Sequence, residues 1–364
     1  MQAKPPEEEI EGLDPAVPDE PFRDYPIDSL HIRHENRTIY EILRRVNQGS
    51  YIMDPDFQRD FIWDSERQSR LIESVLMRIP LPVFYLAEND EGKLVVVDGL
   101  QRLSTFRRFL GNELTLSLQN KELDGKTFYT LSPKLQNRIE DAQLILYIID
   151  HNVDHQAKLD IFERVNSGVP LTRQQMRNCL HMGQATRWLR DEARTNLFAE
   201  ATGKSLDSRS MRDREVVNRF CSFALLTHHK YRGSLDDFLA RGLERMNKLD
   251  PEELDELRER FHRTLRNNVA VFGKHAFRKH VPGQNGRKPF NVALFDAFSV
   301  LLADRPESDV ASRADALHRG FYGLMEDPDF MTSISNSTSS LARVKTRFDK
   351  VSAMIAGVLD AESD

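Results

Sequence analysis

Residues 95–106 read VVVDGLQRLSTF, and the fold turns on how that stretch is parsed. The three valines predict a buried strand, and Gly99 permits a tight turn. Leu100, Leu103, Phe106 and Leu110 then recur every three or four positions, the spacing of a helix with one apolar face, and Gly111 is placed as its stop. Upstream, PVFYLA and KLVVV flank the turn residues ENDEG and read as a β-hairpin ending at Asp98. Before the hairpin, Leu71, Ile72, Val75, Leu76 and Ile79 fall at helical spacing behind a Ser65–Gln68 capping-box pattern, and Pro80 ends the run. QLILYII at 143–149 predicts a further strand that completes a small mixed sheet, with helices through HQAKLDIFERVN and TRQQMRNCLHMG after it. From about Arg187 onward the periodicity is helical. The expected fold class is therefore α+β, a small mixed sheet with helices, followed by an all-α domain.

The chain has 364 residues, 40% hydrophobic and 30% charged, which is an ordinary globular composition with room for two domains. No tract reaches the roughly 18 apolar residues of a membrane span, and no basic-then-apolar leader opens the sequence, so a cytoplasmic protein without membrane partners is expected. Cys179 and Cys221 are expected to be buried free thiols. The net charge of −6 hides an uneven distribution. Residues 1–26 are rich in proline and carboxylates and are read as a disordered acidic tail. Between Arg258 and Lys288 nine Lys or Arg residues face the single acid Glu259. Arg263, Arg266, Lys274, Arg278 and Lys279, interleaved with Phe261, Phe272 and Phe277, are the candidate nucleic-acid contacts of that stretch, joined by Arg343, Arg347 and Lys350 on one side of the last helix. In that helix Leu341, Val344, Phe348, Val351, Ile355 and Val358 form a short seam, which either packs on its own domain or pairs two copies as a homodimer.

A strand that feeds a glycine turn into a helix leaves backbone N–H groups pointing outward with the positive end of the helix dipole, a ready anion site. Gly99 allows close approach, Arg102 offers a planar fork to phosphate oxygens, and Gln101 can orient a water or hydrogen-bond a base. A carboxylate at Asp98 is useful there if it holds Mg²⁺ or activates water. The spacing equally allows a structural turn, with Arg102 paired to Asp98 or Glu73.

Four ordered segments sharpen this. FQRDFIW, RIPLPVFYL, VVVDGLQRLSTF and IFERVNSGVPLTRQQMRN occur in the order found in the N-terminal domain of GmrSD-type restriction proteins, and the similarity spans about residues 30–225. That domain is recognised by an Asp-Gly-Gln-Gln-Arg motif and belongs to the ParB and sulfiredoxin superfamily. The resemblance implies a ParB-like nucleotide-binding domain over 27–182, and the helical periodicity makes 183–364 the helical domain. It implies that Asp98, Gly99, Gln101 and Arg102 bind and hydrolyse a nucleoside triphosphate with Mg²⁺, in defence against foreign DNA. Leu100 stands where the family has its first glutamine. By the same similarity Glu163, Arg164 and Asn166 supply metal and triphosphate contacts, with Asp98 as a further metal ligand, and Gln58 and Arg59 touch the triphosphate. Glu163 and Asn166 are three apart, so a helix would put them on one face.

No Asp-His pair with downstream His and Asn of the family's nuclease half is found, so the chain reads as a stand-alone member whose partners include DNA and a separate nuclease or other defence protein. ATGKS at 201–205 is set aside as a phosphate loop, because Phe198 occupies the position that needs a small residue. The histidine pairs lack partners at zinc-site spacing. The competing reading is a non-catalytic module that binds nucleotide or DNA and switches a partner protein.

Overall fold

The computed structural model describes residues 10–11, 31–53, 63–89, 91–153, 157–158, 160–161, 172–208, 210–284 and 286–360. They fall into two compact units, Phe22–Leu180, and His181–Asp364 with Met1–Pro21.

The first unit is a five-stranded mixed sheet in the order β1-β5-β3-β4-β2, with β1 Ile32–Thr38, β2 Tyr51–Ile52, β3 Phe84–Glu88, β4 Leu94–Asp98 and β5 Gln143–Ile149. β3 and β4 form the expected antiparallel hairpin, β5 runs parallel to β3, and β1 closes the edge antiparallel to β5. Alternation decides the faces. Phe84 and Leu86, Leu94 and Val96, and Leu144, Leu146 and Ile148 all enter one core. That core is closed by Ile39, Ile42 and Leu43 of α1 (Ile39–Asn47), Leu71, Ile72, Val75 and Leu76 of α2 (Ser65–Leu76), and Leu103, Phe106 and Phe109 of α3 (Leu100–Leu110). α4 (Pro133–Glu140) contributes Ile139. On the opposite face Ala87, Val97 and Ile149 meet Met176 of α5 (Arg173–Leu180). α2 starts one residue earlier than the capping-box pattern implies: Asp64 is the cap, accepting from the Arg67 N–H at 2.8 Å, and Gln68 turns back to the Trp63 carbonyl. The helix expected through HQAKLDIFERVN lies largely outside the described residues.

The regular elements among the second unit's described residues are all helices. Phe220, Phe261, Phe272, Phe298 and Phe321 form the centre of its main core. Inside that unit sits a charged triad, Arg219, Asp296 and Arg347, each at most 1% exposed. Asp296 accepts from Arg219 at both oxygens, 2.7 and 2.5 Å, and from Arg347 at 2.6 Å. Burial opposes both charges: at Arg219 the bidentate carboxylate outweighs it and holds the guanidinium above its ordinary value, while at Arg347 burial wins. The expectation that Arg347 lies on a solvated basic side of the last helix is thus corrected, because that helix turns Arg347 inward beside Val344, Phe348, Val351 and Ile355. The same burial spends most of the seam on its own unit. Cys179 and Cys221 are buried and form no disulfide. Within the stretch expected as a tail, Ile10 and Glu11 are placed: Glu11 N–H donates to the Phe290 carbonyl at 2.8 Å and its carbonyl accepts from Val292 N–H at 3.0 Å.

A histidine cluster gives this unit a pH response. His280 Nε2 lies 2.8 Å from His318 Nε2, its Nδ1 is 3.0 Å from the Arg278 carbonyl, and its ring stacks on Phe321. Burial, with His275 and His318 nearby, pushes His280 down to about 4. Two imidazoles sharing one hydrogen bond need one donor and one acceptor, so the two rings cannot both be protonated. An unfolded histidine titrates near about 6.5. The stability contributed by His280 is therefore complete above that pH and is lost as pH falls toward 4. Asp213, raised to about 6 by burial, acts in the opposite sense: its contribution is present at low pH and lost as pH rises through 6. Comparison with His280→Phe separates them. Wild type should lose more of its unfolding temperature between pH 6.5 and 4 than the variant, and parallel curves would refute the assignment.

Candidate functional site

Gly99 is the hinge of the site. Its φ of +98° is the left-handed region, and a Cβ placed there would sit 2.2 Å from the Phe84 ring, which is itself fully buried. Any side chain would combine backbone strain of about 1–3 kcal/mol with an overpacked core. The turn starts α3 without a side-chain cap, and the first helical N–H to find a carbonyl is that of Leu103, to Gly99 at 2.9 Å. The amides of Leu100, Gln101 and Arg102 precede it at the positive end of the helix.

A β-bulge re-aims the end of β4. Leu86 pairs with Val96, but Tyr85 pairs with Asp98, so one residue is absorbed between them. Asp98 thereby joins a row across four strands, Asp98, Tyr85, Tyr147 and His34. The two tyrosine rings stack at 5.6 Å, with His34 at 5.7 Å from Tyr147. Burial, then Tyr147 and Asp98, push the Tyr85 phenol up. No sequence signal reveals this row, because it exists only once the register and the bulge are known.

Arg102 is 8% exposed and its fork is engaged with its own chain. It donates to the Pro82 carbonyl, to the Val83 carbonyl at 3.1 Å and to Asp98 Oδ2 at 2.8 Å, and its guanidinium carbon lies 4.1 Å over the Phe84 ring. Burial pulls its pKa down and Asp98 pulls it back. The Asp98–Arg102 pair that the spacing allows is formed here. Asp98 is half-exposed and its other oxygen makes no hydrogen bond among the described residues. Gln101 accepts from the Trp63 N–H at 3.1 Å. Leu100 packs against the core, so the departure from the family's glutamine falls on the apolar side of the helix.

Gln58 and Arg59, and likewise Glu163, Arg164 and Asn166, lie outside the described residues. Among the described residues no three His, Cys, Asp or Glu side chains converge as a metal cage. The free oxygen of Asp98 beside open amides nevertheless suits Mg²⁺, which takes one or two carboxylates and completes its shell with water and phosphate oxygens.

The basic stretch of the helical unit is largely spent on its own chain. Arg263 donates to the Ala303 carbonyl at 3.1 Å, Arg266 pairs with Glu307 at 2.8 Å, and Lys279 pairs with Glu11 at 2.8 Å. Arg278, 1% exposed, donates to the Thr202 carbonyl at 2.7 Å and Ser205 Oγ at 2.6 Å, which removes it from any surface. Lys274 sits in the short turn Gly273–His275. The sequence counted charges but not the carboxylates and carbonyls that the fold brings to them. ATGKS ends the helix Asn196–Thr202 at left-handed Gly203, a helix C-terminus and not a phosphate loop.

Residues 39–182 match the family model described as the GmrSD restriction endonuclease, N-terminal domain. Over that span the chain is similar to a GmrSD-type N-terminal domain. The matched span holds β2 to β5, α1 to α5 and the whole Asp98–Arg102 turn. No curated protein matches the chain. No described helix is long and apolar enough to cross a membrane.

Proposed function

We propose that this GmrSD-type domain binds a nucleoside triphosphate with Mg²⁺ and hydrolyses it, in restriction of foreign DNA. The observation that carries the reading is the uncapped start of α3 at left-handed Gly99, next to a carboxylate with one oxygen unspent. The amides of residues 100–102 would receive phosphate oxygens. Mg²⁺ bound at Asp98 would supply charge to the phosphates. Where that oxygen does not hold the metal, Asp98 would instead orient the attacking water and take its proton as the new P–O bond forms and the bond to the leaving phosphate oxygen breaks. Arg102, through its 2.8 Å bond to Asp98, is a positioning residue.

The competing reading, a nucleotide-bound switch without turnover, is favoured by one observation: Arg102 is committed to its own chain and does not project at the phosphate site. Phosphate release from each of the four NTPs with Mg²⁺ separates the two. The hydrolysis reading expects release by the wild type and a loss of at least about 100-fold in Asp98→Asn, the low end for removing a general base. Equal release by the variant would remove Asp98 from the chemistry, and binding without release would establish the switch.

A further inference from the structure

On the flank of α3, away from the Asp98–Arg102 pair, a small open cleft is lined by Trp63, Gln68, Gln101, Ser104, Thr105, Arg107 and Arg108. Gln101, Ser104, Thr105 and Arg108 are spaced i, i+3, i+4 and i+7, so one polar stripe of the helix forms its floor. Most polar groups there are satisfied: Thr105 Oγ1 donates to the Gln101 carbonyl at 2.8 Å, and Arg108 donates to Gln68 Oε1 at 2.7 Å. Two are not. Ser104 Oγ is buried without a hydrogen-bond partner, and the Gln101 amide uses only its oxygen, toward the Trp63 N–H. A buried hydroxyl left unpaired costs about 1–3 kcal/mol, so a native one calls for an explanation. The unspent groups are donors, two guanidiniums stand beside them, and no carboxylate is among the lining residues. Donors with positive charge and one indole call for an oxyanion carrying an aromatic group.

We propose that this cleft is a phosphate subsite of the domain: Ser104 and Gln101 donate to a phosphoryl oxygen, Arg108, whose partner Gln68 is neutral, supplies the positive charge, and the ligand's base lies toward Trp63. Resting on the nucleotide-binding reading, it extends that ligand's grip beyond the Asp98–Arg102 turn to Ser104 and Arg108. Gln101 joins the two, since it belongs to both the turn and the stripe.

The chain has two tryptophans, Trp63 here and Trp188 buried in the helical unit. In Trp188→Phe, Trp63 emission reports the cleft alone. This variant and its Ser104→Ala derivative are titrated with each of the four NTPs and Mg²⁺, following Trp63 emission and unfolding temperature together. A nucleotide that raises the unfolding temperature should also change Trp63 emission with the same midpoint. Ser104→Ala should weaken it about tenfold, the low end for a hydrogen bond to a charged group, while leaving the unliganded protein at least as stable. Stabilisation by nucleotide that is equal in Ser104→Ala, with Trp63 silent, would overturn the subsite and leave the nucleotide reading standing. No stabilisation by any nucleotide in either protein would overturn both.

Discussion

Arg102→Ala is expected to lower the unfolding temperature of the ligand-free first unit by roughly 6–20 °C, because breaking a buried ion pair costs about 3–5 kcal/mol and a unit of this size shifts by about 2–4 °C per kcal/mol. The guanidinium is 8% exposed, and its removal strands two carbonyls and a carboxylate at once. It also removes a cation seated on Phe84, the ring that presses against Gly99. Arg102→Lys keeps the charge without the fork and should fall between. Asp98→Asn retains an oxygen for Arg102 at a half-exposed position, so its cost should stay below about 1 kcal/mol. Trp63 emission in the Trp188→Phe background follows the unit that contains the change. An Arg102→Ala protein as stable as wild type would show that the fork is held in reserve for a ligand. Loss of nucleotide binding in Arg102→Ala is therefore uninterpretable without the ligand-free curve beside it.

Asp296→Ala should destabilise the helical unit by about 3–5 kcal/mol, since it leaves two buried guanidiniums facing each other without an anion. Replacing all three members by apolar side chains of similar volume, Arg219→Leu, Asp296→Leu and Arg347→Met, should be neutral or stabilising, because the desolvation of three charges disappears with them. Trp188 emission in a Trp63→Phe background reads this unit by chemical denaturation. A triple variant less stable than Asp296→Ala would mean that the triad contributes net stability.

Much of the first unit was legible because its signals are local. VVVD-G-LQRLSTF declared strand, turn and helix by periodicity and one glycine, and the 84–98 hairpin and the 143–149 strand followed from apolar runs around turn residues. β1 was missed: IRHENRT carries six polar or charged residues in seven, since an edge strand is defined by its partner β5 more than by its own composition. β2, two residues long, has no periodicity to read. At the site the residue types were legible and their partners were not. Asp98, Gly99, Gln101 and Arg102 announced a polar turn, but only the register shows the bulge that aims Asp98, and only the packing shows Arg102 on Phe84 and Ser104 without a partner. Two of the cations, Arg278 and Arg347, misled for the same reason. Arg347 looked like a member of a solvated row until Asp296, distant in sequence, drew it inward.

The central claim, that the turn at Asp98–Arg102 serves a nucleotide, is tested most directly by calorimetric titration of the intact chain with each of the four NTPs and Mg²⁺, repeated on Asp98→Asn. The account predicts saturable binding of at least one triphosphate. At about 100 times its dissociation constant that nucleotide should add roughly 2.7 kcal/mol to stability, and Asp98→Asn, still folded, should bind more weakly when Mg²⁺ is present. Absence of heat with all four nucleotides, from a protein whose unfolding shows both units intact, would contradict it and leave the turn as a structural clamp built on Arg102.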